Sequence, residues 1–151
     1  MNRMFVLFLL ISSLTCGCQM MLSPDLLGSG TSATQIREVS SFDRVELDGI
    51  FDTIISVGPE QSVTITTDDN LIENIRTSVR DGKLQIDTTG SFGTKIGIQV
   101  TIVMPALVAC QKTGTGTLQI NDYQGEELKL SQFGIGDISA RGSVGIVHAS
   151  T

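Results

Sequence analysis

The sequence has no tryptophan, a single tyrosine (Tyr123) and a single histidine (His148). The shortage of large rings removes the stacking platforms that usually line long sugar-binding clefts. A Ser-His-acid triad would have to use His148, close to the last residue, Thr151, where a general base is hard to hold within hydrogen-bond reach. Cysteine is scarce as well: of three, Cys16 and Cys18 fall in the first eighteen residues. That leaves Cys110 without a partner, and one histidine with one cysteine cannot build a structural zinc site. Cys110 lies in an apolar strand and is expected to act as a small buried hydrophobe. Basic residues are in the minority, ten against sixteen acidic, with a formal charge of −6 and a pI near 4.6. No basic stripe runs along the chain, which argues against nucleic acid as a partner.

What is present begins with residues 1–18, "MNRMFVLFLLISSLTCGC", where a basic start precedes an apolar run too short to span a bilayer as a helix. This reads as an export signal. Its end, "SLTCGCQM", resembles the lipobox of bacterial lipoproteins, in which a small residue precedes the acylated cysteine. Gly17 makes Cys18 the first choice for lipidation and Cys16, after Thr15, the second. The pattern prefers Leu three positions before the cysteine, and Thr15 or Ser13 stands there instead. Gln19 after Cys18 favours the outer membrane where a cell has one. Acyl chains at that cysteine would anchor the chain without a spanning helix.

Residues 19–36 are rich in Gly, Ser and Thr, with one Pro, and read as a flexible linker. Residues 37–151 read as one domain. "TIISV", "SVTITT", "KLQIDT", "IGIQVTIVM" and "LKLSQ" are short, β-branched and partly alternating segments separated by Gly, Asp, Asn and Pro. Short strands without helical crossovers predict an all-β class. "DDNLIENI" predicts one short helical turn capped by Asn70; a calcium site at Asp68, Asp69 and Asn70 is the alternative.

"CQKTGTGTLQI" aligns with "LSQFGIGDISA", placing Gly114 and Gly116 twenty positions before Gly134 and Gly136. A repeat of that length predicts a right-handed parallel β-helix-like solenoid with short coils and Gly-x-Gly corners. A nucleotide-binding loop would need a third glycine and a helix opening directly after it; β-branched residues follow instead. Glycine here is read as a corner residue, needed for positive φ or close backbone approach. Adding twenty to Gly134 gives 154, beyond Thr151, so the repeat is expected to be cut mid-coil.

Residues 42–86 carry Phe42 and Val45 leading to Gly49 and Phe51, then Gly58, the strand from Val63, Asn70-Leu71 and Gly82-Lys83-Leu84. With "MPAL" from Met104 and the two Gly-x-Gly steps, this resembles the bacterial head-GIN domain family of putative auto-transporter adhesins, from about Val39 onward. Phe133 departs from it, standing where the family usually has a small residue. The resemblance implies an exported, lipid-anchored β-helical module of the cell envelope with an adhesin-like binding or structural role. It transfers no catalytic residues.

No catalytic, cofactor or metal residues are therefore expected, and the protein is not read as an enzyme. The alternatives are a polysaccharide-processing enzyme using carboxylates among Asp52, Asp87, Asp122, Glu126, Glu127 and Asp137, or a truncated fragment without independent function. Expected partners are the membrane, through the lipid anchor, a surface glycan or protein, and a second copy through the C-terminal coil.

Overall fold

An alternating segment such as Val63-Thr64-Ile65-Thr66 can bury one side of an extended chain and keep the other in water. Strands make up most of the computed structural model, which describes residues 26–151. In chain order they are β1 (Leu26–Leu27), β2 (Ser32–Ile36), β3 (Arg44–Ile50), β4 (Asp52–Val57), β5 (Ser62–Asp68) and β6 (Ile75–Arg80). There follow β7 (Lys83–Thr88), β8 (Phe92–Gly93), β9 (Gln99–Met104), β10 (Ala109–Thr115), β11 (Leu118–Ile135) and β12 (Ile138–Ser150). A 3₁₀ turn, Ile72–Asn74, is the helical exception.

Strands β1 and β8 form a small pair, and the others join one ten-stranded sheet in the order β2-β5-β9-β4-β11-β10-β3-β7-β6, with β12 on β11. The sheet curls because β11 serves two neighbours. Its residues from Leu118 to Asn121 pair with β4, and those from Lys129 to Ile135 pair with β10. One wall is therefore β2, β5, β9, β4 and the start of β11. The other is β6, β7, β3, β10 and the end of β11. Inward side chains of both walls, among them Val45, Leu47, Phe51, Ile55, Ile65, Ile86, Ile102 and Leu118, make one core cluster.

The all-β class holds. A parallel solenoid does not describe the whole sheet, because β2–β5, β5–β9 and β6–β7 are antiparallel. The last of these turns through Asp81 (φ 49°) and Gly82 (φ 72°), a two-residue Asp-Gly hairpin that forces antiparallel return. Parallel pairing in a twenty-residue register does run from Ala109↔Lys129 to Thr115↔Ile135.

The expected leader at 1–18, with Cys16 and Cys18, lies outside the described residues. From Leu26 onward the segment read as linker belongs to the sheets instead, with Ser32–Ile36 paired along β5. Its Ser and Thr side chains suit an edge strand as well as a linker, and composition alone does not separate the two. Asn70 does not cap the 3₁₀ turn, which has no side-chain cap. Its amide instead accepts from the Ser29 N–H at 2.9 Å and donates to the Leu27 carbonyl at 2.9 Å.

Candidate functional site

Strand pairing carries each inward row of side chains across a whole wall, so the end of a row shows what the core meets there. In the first wall one row runs Leu118, Thr53, Val100, Ile65 and ends at Gln35. The next runs Ile120, Ile55, Ile102, Val63 and ends at Arg37, whose N–H donates to the Val63 carbonyl at 2.8 Å. In the facing wall Lys112, Leu47 and Ile86 lead to Thr77. All three rows thus reach polar residues at the β2 and β6 end.

That end opens into a cleft of about 530 Å³ lined by Arg37, Arg76, Thr77, Ser78, Arg80 and Asp87, among others. The Arg37 guanidinium is fixed by two carbonyls, Ile72 at 2.8 Å and Ile75 at 3.1 Å, both taken by Nη2. Its Nε is buried without a protein partner, as are Thr77 Oγ1 and Gln35 Oε1. Among the described residues only Thr53 Oγ1 shares that condition, so three of four such atoms gather at one end. Each costs about 1–3 kcal/mol unless something else pairs with it. Arg76 is paired with Asp87 at 2.6 Å on the exposed surface. Among the described residues Arg80 has no such pairing, and it stands exposed at the end of β6. The chemistry available is binding, through fixed guanidinium donors and hydroxyls.

The opposite end of the core is mainly apolar, with Gln132 and Ser150 beside it. Leu130, Ile138, Ala140 and Ala149 line a mouth of about 370 Å³ there.

The sequence-selected residues fall elsewhere. Gly114 pairs with Gly49 on one side and with Gly134 on the other. Gly114 and Gly134 have φ values of 104° and 137°, and Gly116 and Gly136 stand at 112° and 144°. A Cβ on Gly134 would lie 2.0 Å from the Gly114 carbonyl oxygen, and one on Gly136 2.0 Å from that of Gly116. Phe133, beside this ladder, is exposed.

Asp68, Asp69 and Asn70 come together, but around protein donors. The buried Asp68 carboxylate accepts from the Thr94 hydroxyl at 2.6 Å, Gly30 N–H at 2.6 Å and Lys95 N–H at 3.1 Å. These bonds, the Thr94 hydroxyl first, hold its pKa at about 2. Asp69 takes the Ser29 hydroxyl. With lone pairs aimed at N–H and O–H groups, this trio fastens the chain around Gly30.

Of the carboxylates considered for sugar chemistry, Asp52, Asp87 and Glu127 are engaged locally. Asp52 accepts from the Thr117 N–H and hydroxyl, each at 2.9 Å, which lowers its pKa. Asp122 sits at φ 55° in a register shift of β11. Glu127 lies 3.3 Å from Lys129 and 3.6 Å from His148.

Sequence reading missed Lys112. It lies in the inward row beside Leu47, 1 % exposed, and Nζ donates to the Thr115 carbonyl at 2.9 Å. Burial lowers its pKa, with Asp52 opposing. Gln132, paired with Lys112, repeats the arrangement by donating to the Gly136 carbonyl at 2.6 Å. The two-residue alternation from buried Cys110, whose thiol burial pushes up to about 12, was the signal available. A second missed feature is the outward row Arg80, Lys83, Arg44, Ala109, Lys129 and His148, assembled only by pairing. Glu46 and Asp43 pair with Lys83 and Arg44, so the row is largely neutralised.

The sequence model of a family described as "putative auto-transporter adhesin, head GIN domain" matches residues 41–150. Among solved structures, a putative adhesin from Bacteroides fragilis is similar with a TM-score of 0.65 at 17% identity, over 81% of this chain and 67% of that one. A putative lipid binding protein from Parabacteroides distasonis gives 0.60 at 16% identity, over 84% of this chain and 62% of its own. A putative adhesin from Parabacteroides merdae gives 0.54 at 15% identity, over 83% and 60%. The chain thus spans about two thirds or less of these neighbours' lengths, and at such identities the likeness is one of fold. No curated protein is similar to it.

Proposed function

We propose, for a chain that belongs to the head GIN domain family of putative auto-transporter adhesins, that it is an adhesin-like binding module of the cell envelope. The observation that carries this reading is the polar cleft between β2 and β6, where core rows end on fixed but unpaired polar atoms. Export and lipid anchoring at Cys18, or at Cys16, belong to the same proposal and rest on the leader and "CGC". The parallel part of the sheet, β3, β10, β11 and β12, is read as the stacked-coil portion, with the antiparallel strands closing one end. No bond-breaking role is proposed for any residue.

The test is binding by the purified full chain to an array of bacterial and host surface glycans and to immobilised envelope proteins. Saturable retention of one class supports the reading, and retention of none overturns it. A second reading, binding of an acyl chain, is favoured by the apolar mouth at Leu130, Ile138 and Ala149. A fluorescent fatty acid that brightens with the wild type and not with Ala140→Asp would favour it.

A further inference from the structure

Several exposed apolar side chains fall on one line. Ile50, Thr115 and Ile135 are lateral neighbours on β3, β10 and β11. Pairing of this kind sets Ile50 and Ile135 on the same side of the sheet, about 10 Å apart at the usual strand spacing. Ile50 is 64 % exposed and Ile135 75 %. Phe133, two residues before Ile135 on β11, shares that side and is exposed too. On the other flank Ile50 and Phe92 line a hollow of about 260 Å³ together with the buried Ile98. Phe92 in turn pairs with the exposed Leu26 of β1. An apolar ridge thus runs from β1 along the Gly-x-Gly corners to Phe133. Single exposed apolar residues are ordinary, but a connected row of them marks a surface that meets something.

Resting on the anchoring at Cys18 proposed above, we propose that this ridge lies on the lipid bilayer, as a second contact beside the acyl chains. Two observations select that occupant. The first is reach. Leu26 stands eight residues after Cys18. A chain of that length spans at most about 29 Å, so the β1 end of the ridge is tethered close to the surface that holds the acyl group. Such a short tether raises the local concentration of lipid, and a ridge too small to bind a membrane alone suffices beside the anchor. The second is charge. The exposed carboxylates of Asp48 and Asp52 flank Ile50, and exposed Asp137 follows Ile135 by two. Two copies meeting ridge to ridge would bring these carboxylates together, which opposes that contact. The same flanks repel an anionic membrane, so the ridge suits zwitterionic headgroups and binds through apolar area. The starts of the same strands are kept off the bilayer: Arg44, six residues before Ile50 and level with Arg80 through Lys83, is about 20 Å from the ridge.

The chain has no tryptophan, so a single introduced one is a clean reporter. Ile135→Trp, and Arg80→Trp as the distant comparison, are made in the full acylated chain and reconstituted in phosphatidylcholine vesicles carrying brominated acyl chains. Ile135→Trp fluorescence is expected to be quenched several-fold more strongly than that of Arg80→Trp. Adding Ile50→Asp, at an exposed position that leaves the fold intact, should reduce this quenching several-fold. Added salt should leave it unchanged, because the contact is apolar. Equal quenching of the two reporters would overturn the ridge contact. A blue-shifted Ile135→Trp that bromine does not quench would put protein on the ridge, either residues 20–22 or a second copy, and would overturn it as well. Vesicle flotation separates this contact from the anchoring reading. An acylated chain that floats with Ile135→Trp unquenched keeps the anchor and loses the ridge. A chain without an acyl group that is quenched all the same loses the anchor and keeps the ridge.

Discussion

The Asp68 carboxylate, at the end of β5, accepts the Gly30 N–H at 2.6 Å across 38 residues of chain. With Asn70 on Ser29 and Leu27, this bond ties the stretch between β1 and β2 to the sheet. The site of attachment is charged, and it follows that docking of β2 depends on pH.

Asp68 has a folded pKa of about 2 against an ordinary 3.8. A depressed carboxylate stabilises the fold above its unfolded pKa, and that contribution is lost as pH falls through the folded one. Protection from hydrogen exchange at residues 32–36, relative to the core strands at the same pH, should therefore fall between about pH 4 and pH 2. Asp68→Asn should show the loosened state already at pH 7. Exchange at these residues that keeps step with β4 across the range would refute the clamp.

Lys112 makes a prediction of the same sign at high pH, from a group whose charge is destabilised by burial rather than held by partners. Its pKa is lowered from 10.5 by burial, so the unfolded chain binds that proton more tightly than the folded one. Stability should accordingly rise with pH through the window below 10.5, and the rise should vanish in Lys112→Met. Methionine fills similar space without a buried charge and should cost little, whereas Lys112→Ala leaves a cavity worth about 2–4 kcal/mol. Urea melts at several pH values separate these outcomes. A Met variant as unstable as the Ala variant would mean that the ammonium itself is required.

The glycine ladder leaves no room for side chains. Gly134→Val meets the Gly114 carbonyl and must adopt a φ of 137°, a strain of about 1–3 kcal/mol before any clash is relieved. Thermal melting should fall by several degrees, and no nucleotide should bind the wild type. Saturable nucleotide binding lost in Gly116→Val, with the melt unchanged, would speak for a phosphate loop.

Acylation is testable directly. Radioactive fatty acid fed to expressing cells should label the wild type and not Cys18→Ser. Label kept in that variant and lost in Cys16→Ser would move the anchor to Cys16.

Strand β12 exposes Val144, Ile146 and Val147 and, among the described residues, pairs only with β11. An open apolar edge is a template for another chain. Light scattering on the purified chain should show self-association that Ile146→Lys reduces. A monomer at high concentration would show that this edge does not recruit a second copy.

Local pattern was enough to establish an all-β chain. Alternation in Ser62–Asp68 and Lys83–Thr88 places one side in a core whatever the partner strand, because the period of a strand is two. The twenty-residue spacing of the glycines likewise foretold that Gly114 and Gly134 would pair. What no local pattern could carry was the neighbour of each strand. Arg37 reads as a polar residue after a linker, and becomes the end of a core row only because β2 returns antiparallel on β5. Thr77 joins the same lining because the Asp81-Gly82 turn folds β6 onto β7. Lys112 is buried because Leu47, 65 residues earlier, pairs beside it. Strand type is set by residues one and two apart, within reach of the chain's own geometry. The cleft is set by contacts between segments tens of residues apart, which only the closed sheet brings within hydrogen-bond distance.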